Sequence, residues 1–81
     1  MSKYYMWEGK PVNDYHDALE NEVSFFLFAT HTTHGELAKR LGMDANTLRM
    51  KRKGQTEYKT SELMAISEII GKTPDQLLGL A

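Results

Sequence analysis

The chain has 81 residues, no cysteine and a formal net charge of −1. This length allows one small domain with a limited apolar core and a narrow stability margin, and the lack of cysteine excludes disulfides and thiolate metal sites. The longest apolar run, Phe25 to Ala29, is far short of the roughly 20 residues that span a bilayer, and the first ten residues lack the apolar centre of a secretory signal, so a soluble, cytoplasmic protein with no membrane role is expected.

Residues 1–12 form an aromatic N-terminal arm carrying Tyr4, Tyr5, Met6 and Trp7, followed by the turn signal Glu8-Gly9-Lys10-Pro11. The arm reads as a short strand or as an extended segment lying on the helices. Residues 13–81 read as the domain proper. Asn13 or Asp14 caps a first helix running to about His31. Its apolar positions Tyr15, Ala18, Leu19, Val23, Phe26 and Leu27 fall at helical spacing. Phe25 and Phe28 widen the apolar arc, which predicts a helix covered on more than one side, by the arm or by a second subunit. The acidic residues of this helix read as its solvent face.

Thr33 caps a second helix, and Glu36 stands three residues on, as a capping box requires. Gly42 ends that helix at a position suited to positive φ. Asp44 caps a third helix to about Arg52, and Gly54 stops it. Thr60 or Ser61 opens a fourth, with Leu63, Ile66 and Ile70 along one face, and Gly71 closes it. Thr73 caps a short fifth helix with Pro74 at its first position, docked by Leu77, Leu78 and Leu80.

The small net charge conceals a segregation. Residues 1–32 carry Lys3 and Lys10 against Glu8, Asp14, Asp17, Glu20 and Glu22, a net of −3. Residues 33–59 carry Lys39, Arg40, Arg49, Lys51, Arg52, Lys53 and Lys59 against Glu36, Asp44 and Glu57, a net of +4. Residues 60–81 carry Lys72 against Glu62, Glu68 and Asp75, a net of −2. Phosphate attraction is screened beyond about 8 Å at physiological salt, so the local face decides rather than the total. Arg49, Lys51, Arg52 and Lys53 crowd the end of the third helix, where cations also serve simply to complement the helix dipole.

The segment from Thr33 to Gly54 joins two short helices by a tight turn, the second of them basic. With Glu36-Leu37-Ala38, the turn at Gly42, Asn46-Thr47-Leu48, Gly54 and the closing run Ile69 to Leu78, it resembles the helix-turn-helix family of lambdoid phage repressor and Cro proteins, the XRE family. The resemblance covers His34 to Leu78, a little over half of the chain. It implies an all-α, compact five-helix repressor-like domain, and a recognition helix from about Ala45 to Arg52 that lies in the DNA major groove. Ala45, Asn46, Arg49 and Met50 match the family positions that face base edges; Asn46 suits adenine and Arg49 suits guanine. Thr33, His34, Thr47, Lys53 and Gln55 match positions that approach phosphates. Lys39, Arg40 and Lys59 add charge of undefined direction.

The sequence departs from the family pattern in three places. Arg52 stands where an acidic residue is usual. Lys51 stands where an apolar residue is usual, so Met50 or the Lys51 stem must fill that space. The aromatic arm has no counterpart in the pattern.

His16, His31 and His34 have no carboxylate or thiol at zinc-site spacing, so neither a metal nor any other cofactor is expected. Nor does the sequence place serines or histidines in a triad spacing, or glycines in a phosphate loop, so an enzyme is not expected. The resemblance implies a transcription regulator that binds double-stranded DNA. It acts as a homodimer, because one recognition helix contacts too few base pairs to select a genomic site. The alternative is a protein-interaction module, an anti-repressor or a subunit of a regulatory complex, working through the acidic first helix and a partner surface at Tyr4, Tyr5 and Trp7.

Overall fold

The computed structural model describes residues 12–80, with side chains from Tyr15 onward. The described residues are all-helical: α1 (Val12–Thr30), α2 (His34–Arg40), α3 (Ala45–Arg52), α4 (Thr60–Ile70) and α5 (Pro74–Leu77). The aromatic arm and its turn lie outside them. No helix among the described residues is long and apolar enough to cross a membrane.

All five helices feed one core. Leu19 and Val23 come from α1, Leu37 and Ala38 from α2, Leu48 from α3, Ile66 from α4 and Leu77 from α5. Each is at most 2% exposed. Removing one such leucine costs about 2–5 kcal/mol, a large part of the stability of a domain this small. α2 packs on α3, α4 on α5, and α5 back on α1. The α5 end approaches α1 closely, since a Cβ built on Gly79 would meet the Ala18 methyl at 3.1 Å.

The helix starts follow the sequence closely from α2 onward. Thr33 and Glu36 form a full capping box at α2, and Thr73 and Gln76 form another at α5. α4 opens at Thr60 with Lys59 in the capping position, and the Glu62 carboxylate accepts the Lys59 backbone N–H at 2.7 Å.

Two expectations are corrected. α1 opens at Val12, so Asn13 and Asp14 lie within its first turn instead of capping it. Leu80 is 47% exposed and docks α5 less than Leu77 and Leu78 do. Phe25 and Phe28 are 67% and 81% exposed, so the other described helices leave that flank of α1 open; of the two covers expected for it, the arm lies outside the described residues.

α1 ends without a glycine. His31 takes the left-handed conformation, φ 56°, and the Thr32 N–H closes back on the Leu27 carbonyl at 3.0 Å. A β-carbon in that conformation costs roughly 1–2 kcal/mol. His31 is exposed and holds no core position. His31→Gly is therefore expected to stabilise the fold by about 0.5–1 kcal/mol, raising Tm by a few degrees. Thermal unfolding followed by circular dichroism checks this; a lower Tm would show that the His31 side chain supports the corner.

Candidate functional site

α2 and α3 meet through residues 41–44. Gly42 has φ 74°, its N–H donates to the Lys39 carbonyl at 3.1 Å, and the Met43 N–H reaches back to the Ala38 carbonyl at 3.0 Å. This pair of bonds satisfies the last carbonyls of α2 and turns the chain sharply. Asp44 then restarts the helix, its carboxylate accepting the Thr47 N–H at 2.8 Å. That bond holds the Asp44 carboxyl below its ordinary range. α3 ends by the same device as α2. Gly54 has φ 80°, and the Gly54 and Gln55 N–H groups close on the Lys51 and Met50 carbonyls.

α3 has an inner and an outer side. Leu48 is fully buried, and Lys51 is only 7% exposed. The Lys51 stem fills the space where an apolar residue was expected, and its ammonium donates to the Glu57 carbonyl at 2.9 Å and sits 3.1 Å from the Glu62 carboxylate. Burial pushes the Glu62 carboxyl up, but the Lys59 backbone N–H and the Lys51 ammonium outweigh it and hold it below its ordinary range.

Arg52 also turns inward. Its Nε donates to Glu20 at 3.0 Å, and its Nη2 donates to the other carboxylate oxygen at 2.7 Å, a two-pronged pair from α3 to α1. Nη2 also donates to the Ser24 hydroxyl, and Nη1 donates to His34 Nδ1 at 2.9 Å. The other nitrogen of His34, Nε2, donates to the Ala45 carbonyl at 2.8 Å. A carbonyl only accepts and a guanidinium only donates, so these two bonds select the Nε2–H tautomer of His34. On the far side, His16 Nε2 donates to the Lys51 carbonyl at 2.9 Å.

The basic cluster at the end of α3 is thus divided. Lys51 and Arg52 are committed inside the fold, while Arg49 and Lys53 are exposed. The reading of the α1 acids as a solvent face is corrected in the same way. Glu20 pairs with Arg52, and Glu22 pairs with Lys72 at 2.8 Å. Glu20, Ser24 and Arg52 formed no part of the site expected from the sequence. The available signal was Arg52 itself, an unexplained cation that needed an acid on a neighbouring helix.

The outer side of α3 carries Asn46, Arg49, Met50 and Lys53. Their spacing of three, four and seven residues puts them on one stripe. Asn46, Arg49 and Lys53 are exposed and Met50 is half-buried. Arg49 Nη1 donates to Asn46 Oδ1 at 3.1 Å, so the two polar groups stand side by side. Beside the stripe, Glu20, His34, Arg49, Arg52 and Lys53 bound an open cleft of about 530 Å³.

The remaining expected site residues differ in their freedom. Ala45 and Thr47 are half-buried in the first turn of α3, and Gln55 is exposed just past its end. Thr33 is exposed at the start of α2, and its hydroxyl accepts the Glu36 N–H at 3.1 Å. His34 is half-buried with both ring nitrogens engaged. Lys39, Arg40 and Lys59 are exposed.

A scan against protein-family models and searches of curated proteins and solved structures returned no match to the chain.

The Arg52–Glu20 pair gives a direct test of what holds α3. Arg52→Glu or Glu20→Arg alone puts like charges together in a half-buried place and is expected to cost about 2 kcal/mol. The double swap Glu20→Arg/Arg52→Glu is expected to recover most of that, with a coupling of about 1–3 kcal/mol. Urea denaturation of all four proteins measures it; additive losses would mean the pair does not hold the helices together.

A second expectation concerns acid. The Glu36 and Glu62 carboxyls lie below the ordinary 4.5, and Asp44 lies below the ordinary 3.8. A carboxyl lowered in the folded state adds stability that is complete above its unfolded pKa and lost as pH falls through the folded value. Stability should therefore hold near neutrality and decline as pH drops below the ordinary carboxylate range. Glu62→Gln should flatten that decline. Urea midpoints measured from neutrality to about pH 3 give the slope; an unchanged slope in the variant would remove Glu62 from the account.

Proposed function

We propose that the chain is a sequence-specific DNA-binding transcriptional regulator of phage or bacterial type, a repressor-like five-helix domain. α2 and α3 form its helix-turn-helix, and α3 enters the major groove. The observation that carries this reading is the division of α3 into two faces. Leu48, Lys51 and Arg52 anchor it inward, while Asn46, Arg49, Met50 and Lys53 form one outward stripe. A major groove about 12 Å wide admits a helix so presented, with a polar and cationic outer edge.

In this reading Asn46, Arg49 and Met50, with Ala45 at the start of the helix, face base edges. Arg49 offers the forked donors that match guanine, and Asn46 the donor and acceptor that match adenine. Lys53 and Gln55 beyond the end of α3, and Thr33 and Thr47 at the two helix starts, meet phosphates. The His34 ring already bridges Ala45 and Arg52, so its part is to hold α3 at its angle while its backbone lies along the phosphates. A homodimer on a pseudo-palindromic operator, with half-sites about one helical turn apart, would supply the base pairs that one helix cannot.

The second reading is a protein-interaction module. It is favoured by Phe25 and Phe28, which stand exposed one turn apart on α1 and form an apolar surface of the kind partners cover.

Selection of random duplex DNA by the purified protein at two salt concentrations separates the two. Enrichment of a pseudo-palindrome that survives added salt supports the DNA reading; weak retention lost in salt, with no sequence enriched, leaves only an electrostatic surface and turns the search to protein partners. On the selected site, Arg49→Ala is expected to cost about 1–3 kcal/mol and relax one base position. Lys53→Ala should weaken binding to all sequences and lower the salt slope by about one. If both variants bind like the parent, α3 is not the reading helix.

A further inference from the structure

Asn46 and Arg49 are joined on the outer side of α3. Arg49 Nη1 donates to Asn46 Oδ1 at 3.1 Å, and on the other side of the amide Asn46 Nδ2 reaches the Met50 sulfur at 3.9 Å. A guanidinium only donates and a thioether only accepts, so these two neighbours fix which way the amide points, oxygen toward Arg49 and nitrogen toward Met50. The surroundings press Arg49 the same way. The cleft on its other flank is lined by Arg52 and Lys53, which stand three and four positions further along the helix, where like charges repel. Glu20, the carboxylate of that cleft, has both oxygens taken by Arg52 and accepts the Ser24 hydroxyl as well.

Resting on the DNA reading of α3, we infer that Asn46 and Arg49 read bases as one unit. Asn46 is a positioning residue that aims the Arg49 guanidinium at guanine, and its own amide nitrogen donates to the N7 of a neighbouring purine, adenine and guanine alike. Standing alone, Asn46 would match adenine, with the amide oxygen accepting from N6 and the nitrogen donating to N7. Here the oxygen already accepts from a cation, a stronger partner than a neutral amine. The nitrogen stays available, since sulfur is a weak acceptor, and both purines offer N7 in the major groove. Arg49 spends one N–H on Asn46 and keeps the rest of its fork for O6 and N7 of guanine.

The spacing suits two adjacent base pairs. The joined groups stand 3.1 Å apart, and successive base pairs rise by about 3.4 Å. Water contests so exposed a bond in the free protein. A groove that sheds that water strengthens it, because a hydrogen bond is electrostatically stronger in a lower dielectric, and parting the two groups there would leave a donor and an acceptor unpaired. The half-site that fits the unit is a run of acceptors along one groove edge, guanine next to a purine. Two consequences follow from the shared oxygen. Without Asn46, Arg49 loses its aim; without Arg49, the oxygen is released and Asn46 turns to adenine.

Duplex selection with the parent, Asn46→Ala, Asn46→Asp and Arg49→Ala tests the unit. Both side chains are exposed, so the variants are expected to keep the parent's circular dichroism. The parent should favour guanine at one position by about tenfold or more, beside a position that takes adenine and guanine equally. Asn46→Ala should lower the guanine preference several-fold as well as erase the purine preference. Asn46→Asp still accepts from Arg49 but donates nothing, so at lower overall affinity it should keep the guanine and lose the purine. Arg49→Ala should lose the guanine and turn the neighbouring position several-fold toward adenine. In the parent's selected site, the 7-deaza form of the neighbouring purine should weaken binding equally for adenine and guanine. A strict adenine requirement in the parent, or an Asn46→Ala variant that keeps the full guanine preference, overturns the inference while the DNA reading stands. A parent that enriches no sequence overturns both.

Discussion

An eight-residue helix does not hold itself together in water, because the cost of its first turn is barely recovered by so few bonds. α3 is such a helix, and the rest of the structure depends on how it is gripped. Leu48 supplies the apolar anchor. The polar grips are more particular. Lys51 reaches Glu57 and Glu62 on one side, Arg52 reaches Glu20 and His34 on the other, and His34 returns to the Ala45 carbonyl at the start of the helix. Start and end of α3 are thus fixed by one chain of bonds that also crosses to α1. A helix fixed at both ends by charged hydrogen bonds presents its outer stripe at a defined angle, which any reader of a surface requires.

The same grips redistribute the charge. Cations at a helix end complement its dipole, and all four at the end of α3 do so. Two of them then meet carboxylates in half-buried or buried places, where leaving either partner alone would be costly. The acids that look like a solvated face on α1 are their counterparts. What remains outside, Arg49 and Lys53, is a smaller charge than the sequence suggests, but a better placed one. The net charge of the chain says little about this surface, because screening makes only nearby charges count.

Helix order and most helix ends were legible from the sequence because they rest on bonds between near neighbours. Thr33 with Glu36, Asp44 with Thr47, Gly42, Gly54 and Pro74 each act within a few residues, and each appears as expected. The start of α1 was misread because Asn13 and Asp14 are good caps wherever they stand, and a helix that begins earlier leaves no local mark of it. Phe25 and Phe28 show the same limit, because periodicity records which residues are apolar and does not reveal which neighbour reaches them; none of α2 to α5 covers them.

Asn46, Arg49 and Met50 were singled out in the sequence through the resemblance alone; the structure puts them on one stripe with Lys53, since residues three and four apart on a helix share a face. The sequence by itself thus determined the order of the helices and most of their caps from α2 onward, consequences of local backbone hydrogen bonding and helical spacing. Only the tertiary structure decided which cations face out and which face in. That choice depends on carboxylates more than 30 positions away for Arg52, and on whether burial is repaid by a partner. An arginine in a sequence has a charge, but it acquires a direction only when a second helix brings an acid within reach.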